Sequence, residues 1–172
     1  ADLTGDLINF AQKNKIKVAW NPGYGQLKFP KTTLEGILRK INVLILNKEE
    51  ASELTKTPFQ KEREIFNKID KMTKGTVVMT KGGEGVAVSD GKYLYKAPSL
   101  SVLRPKFIDA TGAGDAFGSG FIAGLIKKNN IIFAIRLAMA NSGFAITKWG
   151  AKEGLLKRGQ KWPKVKVQKE KL

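Results

Sequence analysis

The run Asp109-Ala-Thr-Gly-Ala-Gly-Asp115, leading straight into Ala116-Phe-Gly-Ser-Gly-Phe-Ile-Ala123, decides how this chain is read. Gly112, Ala113 and Gly114 carry little or no side chain, so their backbone N–H groups can converge on one anion. A helical pattern begins just after them. Its first turn adds unpaired N–H groups and the positive end of the helix dipole. Asp115 places a carboxylate in that turn, beside the cradle. An acid there can take a proton from a hydroxyl attacking a phosphoryl group that the amides hold. The same letters also suit an N-capping aspartate after a glycine-rich turn.

Working outward, strands and helices alternate. Leu3 to Asn14 reads as an amphipathic helix with Leu7, Ile8 and Ala11 inward, and Ile16 to Trp20 as a short buried strand stopped by Asn21-Pro22-Gly23. Thr32 to Lys40 is a second helix, followed by the apolar strand Val43 to Leu46. Glu49 to Leu54 and Gln60 to Met72 read as helices, and Thr76 to Thr80 as a strand of high β propensity. Gly85 to Ser89 and Tyr93 to Tyr95 form a hairpin across Asp90-Gly91. Ala116 to Lys127 and Ile131 to Lys148 are apolar helices rich in small residues. This alternation predicts an α/β domain with a largely parallel sheet flanked by helices. Ligands of such sheets sit beyond the carboxyl ends of the strands, and Asn47, Thr80 and Lys81 each follow a strand directly.

Composition narrows the chemistry. The chain has 172 residues, 42% of them apolar, with neither cysteine nor histidine. Disulfides, thiolate metal sites, His-ligated zinc and Ser-His-Asp hydrolysis are thereby excluded, whereas an aspartate-based phosphoryl transferase is not. No long uncharged apolar stretch and no leader-like start are visible, which reads as a cytoplasmic protein without a membrane partner. Net charge is +16, from 31 Lys+Arg against 15 Asp+Glu. Most cations are scattered lysines, and the densest cluster, Lys157 to Lys171, has only Trp162 among its aromatics, unlike a base-stacking platform. It reads as a solvated basic tail, with no nucleic-acid partner expected.

Two further motifs follow strands. Asn47-Lys-Glu-Glu50 puts an amide and a carboxylate on one face of a starting helix, where they can orient the water shell of a magnesium ion. The same spacing suits a capping box. Thr80-Lys-Gly-Gly-Glu-Gly85 has three glycines in six residues, allowing close backbone approach to a ligand, or a plain hairpin entry turn. It is not a Walker loop, since no Gly-Lys-Ser/Thr follows. Gly118-x-Gly-x-x-Ala123 has the spacing of a dinucleotide fingerprint but lies inside a helix, so it is set aside.

The Asp109–Asp115 segment closely resembles the second signature of the PfkB (ribokinase-like) carbohydrate kinases, Asp-Thr-x-Gly-Ala-Gly-Asp, with Ala110 at the second position. The other motifs appear in that family's order. The resemblance implies that Asp115 is the catalytic base and that Gly112, Ala113, Gly114 and Asp115 form the anion hole. It implies magnesium and phosphate positioning by Asn47 and Glu50, and a nucleotide loop of Thr80, Lys81, Gly82, Gly83, Glu84 and Gly85. Asp109 and Thr111, with Ala145, Lys148 and Gly150 of the Ala145–Ala151 stretch, match a monovalent-cation site, K+ in many relatives and partly backbone. A helix C-terminus followed by glycine explains that stretch equally well. Where the family often has an asparagine near the adenine, this chain has Met139, and Asn141 stands two residues on.

The resemblance thus implies an ATP- and Mg2+-dependent phosphotransferase acting on a hydroxymethyl group of a sugar or related substrate. A nucleoside kinase of the same fold, or a non-catalytic basic module binding nucleic acid or protein, are the alternatives. It covers the C-terminal, nucleotide-binding half of the family pattern; the sugar-contact Gly-Gly motif and the β lid have no counterpart. Residues 1–156 read as a partial kinase domain and 157–172 as the tail. The expectation is a fragment with weak or no activity alone, whose partners are ATP, a sugar-like substrate, and the missing N-terminal half or a second copy.

Overall fold

In a computed structural model, residues 3–100 and 107–172 are described. Residues 1–2 and 101–106 of the expected 1–156 domain lie outside them. The chain divides into two compact units, the first made of Ala1–Thr80, Val88–Leu94 and Glu170–Leu172, the second of Lys81–Ala87 and Tyr95–Lys169.

The first unit opens with α1 (Leu3–Lys13), which buries Ile8 and Ala11. Leu7, expected inward, is 58% exposed. The line of contact is set by Ile8 and Ala11, and by Gln12, whose Nε2 donates to Lys40 O at 2.7 Å. Leu7 falls beyond Ala11, off that line. Lys15, in the left-handed region at φ 56°, ends the helix. Ile16 N–H turns back to Ala11 O at 2.8 Å and Lys15 N–H to Gln12 O at 3.1 Å, a Schellman closure. This closure takes up the start of the expected Ile16–Trp20 strand, so β1 is only Ala19–Trp20 and Ile16 is half-exposed.

Next come α2 (Tyr24–Leu27), a single turn that sequence reasoning missed, α3 (Lys31–Leu38) and β2 (Val43–Asn47). They are followed by α4 (Lys48–Thr55), α5 (Glu62–Met72) and β3 (Thr76–Thr80). β1 runs parallel to β2, and β2 parallel to β3, in a register that pairs Val43 with Thr76 and Asn47 with Thr80. Leu44, Leu46, Val77 and Val78 are fully buried. Runs of apolar residues with no polar alternation are what a parallel strand covered on both faces requires.

β4 (Val86–Ser89) and β5 (Tyr93–Ala97) extend the sheet, and β6 (Gln168–Lys171) ends it, in the order β1-β2-β3-β4-β5-β6. The three-residue link between β4 and β5 makes that pair a hairpin. Asp90 Oδ1 accepts the N–H groups of Lys92 and Tyr93, at 3.0 and 2.7 Å, to hold the turn.

The second unit is built on α6 (Ala113–Lys128) and α7 (Ile131–Ala145). A Cβ on Gly120 would lie 2.9 Å from Ala138 Cα, and one on Gly124 2.5 Å from Ala134 Cα. Bare glycine backbone against small alanines is what lets the two helices approach, and it offsets the helix propensity those glycines forfeit. The basic residues from Lys157 to Lys171 are exposed. Between them Val165 is buried, its carbonyl accepting from Arg136 Nε at 3.2 Å, and Trp162 meets Phe133 edge-on.

Candidate active site

Within the first unit, Asn47 and Glu50 stand at the start of α4. Asn47 Oδ1 accepts the Glu50 N–H at 2.7 Å, and Glu50 Oε2 accepts the Asn47 N–H at 2.8 Å. The pair is therefore a reciprocal capping box, which fixes both side chains at the carboxyl end of β2. Asn47 also shares a rung of the sheet with Thr80, whose hydroxyl reaches Leu46 O at 3.4 Å. The structure thus brings Asn47, Glu50 and Thr80 to one strand edge. Capping uses only one oxygen of Glu50, and a lone carboxylate at a strand end suits magnesium held through its water shell, since magnesium sheds water reluctantly. Among the described residues no cluster of three or more acids forms a metal cage.

Within the second unit, Lys81 to Gly85 fold into a closed loop with one turn of 3-10 helix at Gly82–Glu84. Lys81 N–H donates to Gly85 O at 2.8 Å and Gly85 N–H to Gly82 O at 3.0 Å. Gly85 sits at φ 97°, and a Cβ there would fall 2.1 Å from Ala97 O, so only glycine fits. Gly83 differs: a Cβ on it would meet nothing within 4 Å. Gly85 therefore shapes the loop, whereas Gly83 faces open space.

The segment that opens α6 is held from both sides. Asp109 Oδ1 accepts Thr111 N–H at 2.9 Å and Thr111 Oγ1 at 2.7 Å, while Asp109 Oδ2 accepts Gly150 N–H at 2.9 Å. The donors Thr111 N–H, Gly150 N–H and the Thr111 hydroxyl keep the Asp109 carboxyl below the usual carboxylate range. Ile108 and Asp109 also donate their N–H groups to Ile146 O, at 2.8 and 3.3 Å. Gly112 caps α6 at φ 74°, and a Cβ there would lie 2.6 Å from Ala151 Cβ. Asp109, Thr111, Gly112 and Gly150 are thus drawn together, beside the C-terminus of α7. Ala145 is fully buried, with its carbonyl receiving Lys148 N–H at 3.4 Å.

The consequence is a row of open donors. Ala113 N–H is used, donating to Ala110 O at 3.1 Å, and Ala116 N–H donates to Gly112 O at 2.8 Å. The N–H groups of Gly112, Gly114 and Asp115 have no acceptor among the described residues. Asp115 is exposed in the first turn of α6, and its carboxylate makes no hydrogen bond or ion pair among the described residues. Unused amides, a helix N-terminus and an unengaged carboxylate can bind an anion and accept a proton beside it. Asn141, the nearest asparagine to the expected adenine position, is committed elsewhere. Its Nδ2 donates to Ala116 O at 2.8 Å and its Oδ1 accepts Leu156 N–H at 3.0 Å. Sequence reasoning missed Ala151 as the residue that makes Gly112 obligatory.

Helix, strand and loop follow one another here as they do in the ribokinase fold. Arabidopsis thaliana ribokinase, solved with ribose and ATP, superposes with a TM-score of 0.77 at 23% identity, over 89% of this chain and 48% of that one. Thermotoga maritima ribokinase does so at 0.74 and 22%, over 88% and 50%. The pattern of the pfkB family carbohydrate kinases matches residues 2–158, and the chain belongs to that family. It is 34% identical to a ribokinase of Lactococcus lactis over 160 residues, 93% of this chain and 49% of the relative. It is 28% identical to a cytidine kinase of Thermococcus kodakarensis over 145 residues, 84% and 51%. The chain spans about half the length of the curated relatives it matches.

Proposed function

We propose that the chain supplies the nucleotide-handling and proton-accepting parts of an ATP-dependent phosphotransferase whose acceptor is a hydroxymethyl group of a sugar or nucleoside. The observation that carries this reading is the set of amides at Gly112, Gly114 and Asp115 that have no acceptor among the described residues, with the Asp115 carboxylate, equally without a partner among them, beside these amides.

Each part has a physical role. The Asp115 carboxylate accepts the proton of the attacking hydroxyl, which sharpens its oxygen as a nucleophile. The amides of Gly112, Gly114 and Asp115 donate to the transferring group's oxygens, where charge is spread in a loose transition state. Because Asp109 holds the adjoining Thr111 and Gly150 amides, the loop that carries these donors is already set and little reorganisation accompanies the reaction. In the first unit, Asn47 and Glu50 would hold magnesium through water; bound there, the ion would neutralise charge on the nucleotide phosphates. The Thr80 to Gly85 loop carries the nucleotide. A monovalent cation against the 109–111 and 145–150 turns belongs to the same reading, with backbone carbonyls as its main ligands. Sugar and nucleoside acceptors both stand, since both ribokinases and a cytidine kinase are among the relatives.

At about half the relatives' length, the chain alone is expected to turn over little or no sugar. The test is thermal stability with and without Mg·ATP, for the parent chain, Gly83→Asp and Asp115→Asn. Ligand that binds only the folded state raises the midpoint. Mg·ATP should stabilise the parent and Asp115→Asn, and should leave Gly83→Asp unmoved because an anion then occupies the loop's open side. No shift in the parent at any Mg·ATP concentration would overturn the reading.

A further inference from the structure

α1 presents a second apolar face that nothing described covers. Leu3, Leu7 and Phe10 are 69%, 58% and 61% exposed, and Ile16, just past the helix end, is 50% exposed. The spacing of three and four residues puts Leu3, Leu7 and Phe10 in one stripe along the helix, turned away from the buried Ile8 and Ala11. Scattered exposed leucines need no explanation, but a contiguous stripe on one helix marks an interaction surface.

The charges beside the stripe indicate what covers it. Asp6 lies in the first turn and Lys13 in the last, both exposed and on the same flank. Neither makes a hydrogen bond or ion pair among the described residues. Suppose two copies of α1 lie antiparallel about a two-fold axis near residue 9. That symmetry preserves the flank and reverses the helix direction, so Asp6 of each copy falls beside Lys13 of the other. Leu7 of each then meets Phe10 of the other across the seam, and the acidic first turn of one helix faces the basic last turn of its mate. A single stripe with opposite charges at its two ends is self-complementary in this way, as a two-fold interface requires.

We infer that the Leu3-Leu7-Phe10 face of α1 pairs with the same face of a second copy of this chain, antiparallel, with Asp6–Lys13 ion pairs at both ends. A helix of 11 residues gives a short seam, so the association belongs at the weak end of protein interfaces.

The test is sedimentation of the full chain over a concentration series reaching on the order of 100 μM, appropriate to a small interface. The parent should dimerise reversibly, and Leu7→Glu, a change at an exposed position, should be monomeric with unaltered circular dichroism. Asp6→Lys and Lys13→Asp should each weaken the dimer, and the double reversal Asp6→Lys with Lys13→Asp should restore it. The restoration separates a paired register from general stickiness. A parent that stays monomeric throughout would overturn the inference, leaving the face to a different polypeptide. So would a dimer that survives Leu7→Glu, or one in which the double reversal is no tighter than either single change.

Discussion

The Asp109 carboxylate and the Gly150 amide are joined at 2.9 Å, which ties the entrance of α6 to the turn that follows α7. Two stretches remote in sequence thereby behave as one loop. Asp109→Asn keeps the shape but cannot accept at both oxygens, so one of the three contacts becomes a clash of donors. The expected result is a folded protein whose Mg·ATP affinity drops by about tenfold, the scale of one lost charged hydrogen bond. Titration calorimetry against the parent measures it. Unchanged affinity would mean the loop holds its form without Asp109.

The glycines of the α6 region should respond in opposite directions to the same change. Gly112→Ala puts a methyl into the left-handed region and against Ala151, so it should cost about 1–3 kcal/mol of stability. Gly124→Ala, pressed on Ala134, should lose about as much through overpacking. Gly114→Ala meets nothing within 4 Å and should leave the fold as stable or slightly more so. Its methyl would instead stand among the open amides, and Mg·ATP stabilisation should fall. Denaturant melts with and without the nucleotide separate these outcomes.

Asn47→Ala removes one half of a reciprocal cap, and should cost about 1 kcal/mol by denaturant unfolding. If the capping box is all that Asn47 and Glu50 do, Mg·ATP should stabilise this variant as much as the parent. A larger loss of stabilisation with magnesium than without it would assign the pair its metal role.

Asp70 gives the pH dependence a definite sign. Burial raises its carboxyl above the usual range, opposed by the Ser89 hydroxyl donating at 2.6 Å and reinforced by the nearby Asp90 charge. Its Oδ1 is buried without a partner among the described residues. A raised folded-state value means that stability is full below the ordinary 3.8 and is lost as pH rises through the raised one. Asp70→Asn should therefore melt higher than the parent near neutrality, by about 2 °C, and the gap should close on acidification. A gap that widens toward acid would reverse the assignment.

Much of this was legible in the residues because it was local. β3 needed only its run of β-branched residues, and the start of α6 only its glycines and Asp115. What was lost depended on distant partners. Leu7 belongs by pattern to either side of Ala11, and only the Gln12 contact with Lys40 decides its side. β6 has no apolar alternation at all; Arg63 bonds its Lys171 carbonyl at 2.8 Å, and the adjacent Leu172 N–H reaches Lys92 O at 3.1 Å. Such a strand is made by its neighbours' backbone, and lysines on it suit a sheet edge. At the candidate site, the motifs themselves were visible. The Ala151 contact that forbids a side chain at Gly112 was not, because no spacing rule links those positions.

The shared rung of Asn47 and Thr80 has a consequence for how this chain can vary. Between them the chain leaves the sheet at Asn47, runs through α4 and α5, re-enters at Thr76 beside Val43, and follows β3 up to Thr80. Insertions or deletions in that excursion change its length without moving either end, as long as the β2–β3 register holds. Asn47 and Thr80 are spaced by the ladder and not by the count of residues separating them.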